Sequence, residues 1–203
     1  LEEINQKRIR TLIEDLAQKP SAPGSLAQKI GSLYRLSMDS VRRNREGYEP
    51  IRATLEQVRA INDKTAYLLL ANHLERSGVS GMIGVGCGAD IKNAKMNLVQ
   101  INQSGLALGE RDYYLENDEA TRKIREAYRA YVKQLFVMTG TPEADAARKM
   151  EQVLGIETRI AKASYSATKL RDVEGNYHKI TYAELRRDYP GIDWNLLFLR
   201  QGY

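Results

Sequence analysis

The glycine-rich region of residues 77–104 most constrains the fold, because the sequence on both sides of it has helical periodicity. Apolar runs at 82–88 and 96–101 flank the segment Asp90-Ile91-Lys92-Asn93, which has the composition of a turn. We therefore expect a β-hairpin with arms at 82–88 and 96–101. The apolar spacing of Ile91–Ile101 also fits a helix, which is the alternative for the second arm. The expected fold is mainly α, with many helices and one small β-hairpin near 82–101.

Residues 103–114 mark the point where the chain returns to helix. Two glycines bracket the run Leu106-Ala107-Leu108, which predicts an irregular connection with both leucines pointing inward. Arg111-Asp112 can pair with each other or cap neighbouring backbone. The rings of Tyr113-Tyr114 need hydrogen-bond partners for their hydroxyl groups if they are buried.

Helical spacing dominates the chain before the glycine-rich region. Apolar residues predict helices over 1–18, over 25–40, from Pro50 onward and over 65–76. Between the second and third of these, residues 41–47 form a polar segment with three arginines. A phosphate-binding patch is conceivable there, but the absence of an interleaved aromatic residue favours a solvated connector.

Two long helices are predicted after the glycine-rich region. The first begins at residue 117 or 118 and ends at 139. Its expected apolar face consists of Ile124, Ala127, Tyr128, Tyr131, Leu135 and Met138. The second begins with Thr141 as N-cap and Pro142 in the first turn, and continues to about Lys169. Its expected apolar residues are Met150, Val153, Ile156 (or Leu154), Ile160 and Ala161.

Short elements are predicted at the end of the chain. Residues 171–176 have the composition of a loop. Thr181-Tyr182-Ala183-Glu184 is a capping box that begins a short helix. Asp193 is expected to cap a final helical turn that contains Trp194.

Composition excludes several classes of protein. The net charge of +5 arises from 31 basic and 26 acidic residues that are interspersed along 203 residues, so neither a nucleic-acid nor a membrane partner is indicated. The single cysteine, Cys87, cannot form a disulfide within the chain. No apolar run approaches the length of a membrane span.

Residue chemistry alone indicates no catalytic centre. His73 and His178 are the two histidines, and neither lies in an H-E-x-x-H motif. We expect His73 to be a half-buried packing residue and Cys87 to be a small packing residue without a basic partner. The run at 84–89 formally matches a dinucleotide fingerprint, but it lacks a full preceding strand and a following helix.

Short motifs occur in a fixed order along nearly the whole chain. Their positions are Asp90, Lys92, Asn93, Gly105, Leu106, Arg111, Asp112, Tyr113, Tyr114, Glu157, Arg171, Asp172 and Trp194. Together they resemble the motifs in the amino-terminal region of the neprilysin-like zinc metallopeptidases, including the bacterial oligopeptidase O (PepO) type. The resemblance implies structural roles for these positions. Ser37 stands where vertebrate members have a cysteine, so family disulfides are not expected here.

The resemblance implies that this chain is part of a larger enzyme. Such enzymes cleave oligopeptides outside the cytoplasm with one catalytic zinc, which is held by the carboxy-terminal part. Residues 1–203 would then be the helical cover of the active-site chamber, with residues 82–104 as a β-hairpin insertion. On this hypothesis the chain binds no zinc and hydrolyses nothing alone. Its partners would be the catalytic half of the same protein and the peptide substrates, with no nucleic acid and no membrane span.

Two further expectations complete the hypothesis. The parent would be periplasmic, secreted or membrane-anchored, and the start at Leu1 without a signal segment suggests a trimmed piece. The resemblance assigns no substrate-binding residue to this chain. The alternative is a free-standing helical interaction module that uses residues 42–45 and exposed helix faces.

Overall fold

Helices flank one β-hairpin, as the spacing of the apolar residues predicts. This computed structural model describes residues 2–79, 81 and 83–201, with side chains as far as Phe198. The chain divides into two compact units, residues 1–51 and residues 52–203. Within the described residues no helix is both long enough and apolar enough to cross a membrane.

The first unit is built on an antiparallel helical pair. Its helices are α1 (Glu2–Gln18), α2 (Leu26–Met38) and α3 (Ser40–Glu46), followed by a short 3-10 helix (Glu49–Ile51). Gly31 allows α2 to approach α1 closely, because a Cβ atom there would overlap the carbonyl oxygen of Leu16. The guanidinium of Arg35 donates to the carbonyl oxygen of Ala17 at 2.6 Å.

Helix α3 corrects the prediction of a solvated connector at residues 41–47. Asp39 caps this helix, since its side chain accepts from the backbone N–H of Arg42 at 2.8 Å. Arg42 and Glu46 then form an i,i+4 ion pair at 2.6 Å. A strong N-cap and one helical charge pair therefore suffice for two turns of helix in a polar sequence.

The second unit contains the hairpin and the remaining helices. Their bounds are α4 (Arg52–Arg59), α5 (Lys64–Glu75), β1 (Ile83–Asp90), β2 (Asn93–Gln103), α6 (Asp112–Leu115), α7 (Glu119–Met138), α8 (Glu143–Ala163), α9 (Ala167–Leu170), α10 (Tyr182–Asp188) and α11 (Trp194–Gln201).

The predicted hairpin is confirmed, and the helical alternative for residues 91–101 is wrong. Strands β1 and β2 pair antiparallel, with Val85 opposite Ile101 and Cys87 opposite Val99. The register shifts between Ala89 and Asp90. Met82, which was expected in the first arm, lies outside the described residues.

Local capping explains most helix boundaries. Asp118 caps α7 and Asp193 accepts from a backbone N–H of α11, as predicted for Asp193. The predicted capping box is present in α10, where Thr181 and Glu184 bond reciprocally.

Helix α8 differs from the prediction at both ends. Its N-cap is Pro142 rather than Thr141, because the ψ of 146° at Pro142 places that residue outside the helix. The helix ends at Ala163 rather than near Lys169, since Ser164 is extended with a ψ of 152°. Ser166 then caps the separate short helix α9.

Two apolar clusters form the core of the second unit. The first contains Leu68, Leu185, Trp194 and Leu197, from α5, α10 and α11. The second contains Tyr114, Leu154 and Ala161, from α6 and α8. Tyr128 of α7 packs against the second cluster, so the two long helices and the junction before them share one core.

The predicted apolar face is largely exposed on α7, whereas on α8 the predicted Ala161 and the alternative Leu154 are buried. On α7 the buried residue is Val132, whereas Tyr131 and Met138 of the predicted stripe are 60% and 62% exposed. On α8 the alternative Leu154 is buried and Ile156 is 49% exposed. Both helices carry more apolar residues than one face holds, so the choice of inward face depends on the neighbouring elements.

Candidate functional site around Glu157

The connection from β2 to α6 is held by its own glycines and by two inward leucines. Gly105 and Gly109 have φ values of +88° and +83°, which side-chain-bearing residues rarely adopt. Leu106 and Leu108 pack against the cluster of Tyr114, as predicted. The connection is therefore a fixed loop on the core.

The carboxylate of Glu157 is the polar centre beneath this loop. Its Oε1 accepts from the hydroxyl of Tyr128 at 3.0 Å and from the backbone N–H of Ala107 at 3.4 Å. Its Oε2 accepts from the hydroxyl of Tyr114 at 3.2 Å. The Glu157 residue is only 8% exposed, and Tyr114 also accepts from the backbone N–H of Leu108 at 3.0 Å. One buried carboxylate thus connects α6, α7, α8 and the loop.

Both tyrosines are donors to this carboxylate. Burial raises the pKa of Tyr114 to about 12, and the negative charge of Glu157 adds to the rise. Burial and the hydrogen bond to Glu157 also raise the pKa of Tyr128. Each hydroxyl therefore stays protonated at neutral pH and donates a hydrogen bond to Glu157.

A cavity of about 610 Å³ opens beside Glu157. Gln103 at the end of β2, the loop residues 104–107 and Gly109 contribute to its lining, together with Tyr67 and Ser164. Glu157 is the one charged side chain among the described residues that line it. The cavity therefore combines uncharged walls with a single buried negative group.

Two arginines fix the backbone around the cavity. Arg111 donates to the carbonyl oxygen of Ser164 at 2.7 Å and lies 3.7 Å from the carboxylate of Asp112, as its expected ion-pair partner. Arg125 donates to the carbonyl oxygens of Tyr113 and Glu116 at 2.9 and 2.6 Å. Arg111 therefore joins the start of α6 to the end of α8, and Arg125 of α7 binds the backbone at the end of α6.

A second polar cluster lies at the hairpin turn, around Asp90. Its carboxylate is buried and accepts from Lys179 at 2.8 Å, from the hydroxyl of Tyr177 at 2.9 Å and from the backbone N–H of Lys92 at 2.9 Å. The Lys179 hydrogen bond is the main cause that lowers the pKa of Asp90 to about 2. Lys92 also pairs with Glu174 at 3.0 Å. These contacts join the turn to the loop after α9.

The remaining motif positions have separate structural contacts. Asn93 accepts from the backbone N–H of Lys95 at 3.3 Å. Asp172 accepts from the backbone N–H of Gly175 at 2.9 Å, next to the exposed Arg171. Trp194 belongs to the core near α10, 5% exposed, with its indole N–H donating to a backbone carbonyl. None of these three joins Glu157 or Asp90 through these contacts.

Two residues with reactive side chains lie in surroundings that differ from the prediction. Cys87 is exposed on β1 rather than packed in a core. His73 is exposed rather than half-buried, since Leu68 and Asn72 take the inward face of α5. Residues 84–89 lie within β1, paired with β2, and not in a loop that precedes a helix, which is incompatible with the dinucleotide fingerprint.

The described part of this chain does not fit the zinc ion that the resemblance implies for a parent enzyme. Among the described residues no group of three or more His, Cys, Asp and Glu could hold a metal ion. The two histidines of the sequence, His73 and His178, lie on α5 and in the loop before α10.

The sequence pattern predicts Tyr128 on the apolar face of α7 and does not indicate its hydrogen bond to Glu157. A signal was present in the helical spacing, since Glu157 lies three residues after Leu154 and four before Ala161. A glutamate at such a position on a buried face needs polar partners. The tyrosine partners come from residues 29 and 43 positions away, which the local pattern does not reveal.

The chain is similar to known proteins both in sequence and in fold. Endothelin-converting enzyme 1 of Mus musculus is 33% identical over 203 residues, which cover 95% of this chain and 25% of that protein. The zinc metalloprotease Zmp1 of Mycobacterium tuberculosis, solved with an inhibitor, is 30% identical with a TM-score of 0.86, covering 98% of this chain and 30% of that one.

A more distant structure supports the fold alone. The PepO structure from Lactobacillus rhamnosis HN001 is 17% identical with a TM-score of 0.75, covering 98% of this chain and 31% of that one. The chain spans about a quarter of the length of the relatives it matches by sequence. The family model described as "Peptidase family M13" matches residues 1–202. By this match over almost its whole length, the chain belongs to peptidase family M13, the neprilysin-like peptidases.

Proposed function

We propose that this chain is the amino-terminal, non-catalytic part of an extracytoplasmic zinc metalloendopeptidase that cleaves oligopeptides. The family match over residues 1–202 carries this proposal. The relatives support it, because Zmp1 is a zinc metalloprotease and the chain spans only about 30% of its length. The catalytic zinc would be bound by the rest of the parent protein, and the oligopeptide substrates would react there.

The role of this part would be to restrict access to the active-site chamber. Residues 1–203 would act as the helical wall of the chamber, with residues 82–104 as an inserted hairpin. The predominance of helix and the exposed apolar side chains on α7 support a surface that contacts the rest of the parent. Flexible peptides would pass this wall and folded proteins would not.

Expression of the parent gene beside residues 1–203 alone tests the proposal. We expect the parent to cleave a fluorogenic oligopeptide, to lose that activity with a zinc chelator and to recover it with added zinc. Residues 1–203 with added zinc should cleave nothing. Zinc-dependent cleavage by residues 1–203 alone, or a parent gene that ends at residue 203, would contradict the proposal and favour the free-standing interaction module.

The access role needs its own comparison. The same peptide sequence is presented as a free oligopeptide and as a loop within a small folded protein. We expect the parent to cleave the free peptide and to leave the folded protein intact. Equal rates of cleavage would contradict the access role without affecting the assignment as a peptidase.

A further inference from the structure

Glu157 is a buried carboxylate that has no cationic partner among the described residues. None of the ion pairs among the described residues includes it, although the same helix carries a pair between Glu151 and Arg129 at the surface. Its three hydrogen-bond donors are two tyrosine hydroxyls and one backbone N–H, which are all uncharged. Burial of a charge without a counter-ion costs considerable free energy, which neutral donors offset only in part.

The carboxylate still has capacity for another donor. A carboxylate offers about four acceptor positions, and the two tyrosines and Ala107 occupy three of them. Oε1 accepts two of these bonds and Oε2 accepts one. Glu157 also lines the cavity of about 610 Å³. A donor that entered this cavity would therefore meet an acceptor that is already desolvated and held in place.

The cavity matches a basic side chain better than a metal ion. A metal ion would need several ligands of the Asp, Glu, His or Cys type, and no such group is present among the described residues. An arginine or lysine needs only one carboxylate for its charged end and apolar surface for its methylene stem. Tyr67 and Leu106 line the cavity and provide that surface.

We propose that this cavity binds the guanidinium or ammonium end of a basic side chain, with Glu157 as its counter-ion. The cation could come from the rest of the parent protein or from a peptide substrate, and this part of the proposal rests on the proposed function. The cation chemistry itself rests on the contacts of Glu157 and on the lining of the cavity.

Methylguanidinium, with methylurea as its uncharged isostere, tests the cation chemistry on the 203-residue chain. Amide chemical shifts of Ala107 and Leu108 are followed during titration at constant ionic strength. We expect saturable shifts with methylguanidinium and none with methylurea. Equal shifts with both probes, or no shifts with either, would overturn the proposal.

Matched variants locate the binding site. Glu157→Gln retains the size of the side chain and an oxygen that can accept from the tyrosines, but it removes the charge. Glu151→Gln makes the same change at the exposed position on α8. We expect Glu157→Gln to lose the saturable shift and Glu151→Gln to retain it. The comparison of methylguanidinium with methylurea uses the unaltered chain. It therefore still tests the proposal if Glu157→Gln does not fold.

The parent protein distinguishes the two sources of the cation. If a parent residue occupies the cavity, methylguanidinium gives no shift in the parent and Glu157→Gln lowers its Tm. If a substrate supplies the cation, Glu157→Gln raises KM for an arginine peptide but not for the matching citrulline peptide. If the shift persists in the parent, and Glu157→Gln changes neither the Tm nor the KM for the arginine peptide, both proposed sources of the cation are wrong. A parent without peptidase activity would refute the proposed function and leave the probe titration intact.

Discussion

Two buried carboxylates of this chain are stabilised in different ways. Asp90 has a cationic partner in Lys179 and a second donor in the hydroxyl of Tyr177. Glu157 has only uncharged partners. The cation at Asp90 stabilises the ionised form and is the main reason that the pKa of this group falls to about 2. The side chain of Lys179 is 42% exposed, so solvent screens this pair on one side.

The anchoring of the hairpin turn by Asp90 predicts a pH dependence of stability. Because the pKa of Asp90 is lower in the folded chain than its ordinary value of 3.8, its contribution is present above pH 4 and is lost as the pH falls through about 2. We expect Asp90→Asn to lower the Tm at pH 6. Between pH 4 and pH 2, the Tm of this variant should fall less steeply than the Tm of the unaltered chain. Thermal melts across this range measure both effects.

Asp112→Asn is the matched control for Asp90→Asn, since Asp112 is more exposed and lies 3.7 Å from its partner Arg111. The control should leave the acid profile nearly unchanged. Parallel acid profiles for the Asp90→Asn variant and the unaltered chain would contradict the anchoring role.

Helix α8 organises the second unit through one narrow face. Its buried residues Ala146, Leu154, Glu157 and Ala161 recur at spacings of three, four or eight, which places them on one side of the helix. This face contacts α6 and α7. The apolar Ile156 lies on another side of the helix and is half exposed.

A pair of alanine substitutions on α8 distinguishes the two faces. We expect Leu154→Ala to reduce the free energy of unfolding by about 2–5 kcal/mol, because Leu154 is 7% exposed and its removal leaves a cavity. Ile156→Ala should reduce it by less, about 1 kcal/mol at most, because about half of this side chain stays in solvent. Urea unfolding measures both values. A larger loss for Ile156→Ala would show that the opposite face is buried.

At the scale of the whole molecule, many large apolar side chains are exposed to solvent rather than packed in a core. On α7 alone, Tyr131, Leu135 and Met138 are 60%, 43% and 62% exposed and lie on one side of the helix. Clustered apolar residues of this kind mark interaction surfaces in soluble proteins. The family relatives have about four times the length of this chain, which fits the proposal that this stripe contacts the rest of a larger protein.

The exposed stripe on α7 predicts binding of an apolar dye. We expect the chain to increase the fluorescence of such a dye, and the triple change of Tyr131, Leu135 and Met138 to serine to reduce it by about half or more because the stripe is a contiguous patch. The control is the same change at three exposed positions away from the stripe, namely Lys123, Glu126 and Ala130. Unaltered dye binding in the stripe variant would place the interaction surface elsewhere.

The local elements follow from the sequence because their causes are local. The hairpin follows from Asp90–Asn93 between apolar runs, and the capping box of α10 from Thr181 and Glu184, three residues apart. The inward leucines of the loop follow from the glycines on either side. In each case the residues that decide the structure are neighbours in the chain.

Tertiary contacts decided which face of each long helix is buried and what surrounds Glu157. The helices α7 and α8 have apolar residues on several sides, so only packing against α6 and against each other selects Val132 and Leu154 over Tyr131 and Ile156. The sequence alone determined the hairpin, the capping box of α10, the cap of α11 and the family motifs. Only the tertiary structure joined Glu157 to Tyr114 and Tyr128 beside a cavity, because side chains far apart in sequence meet only when helices pack.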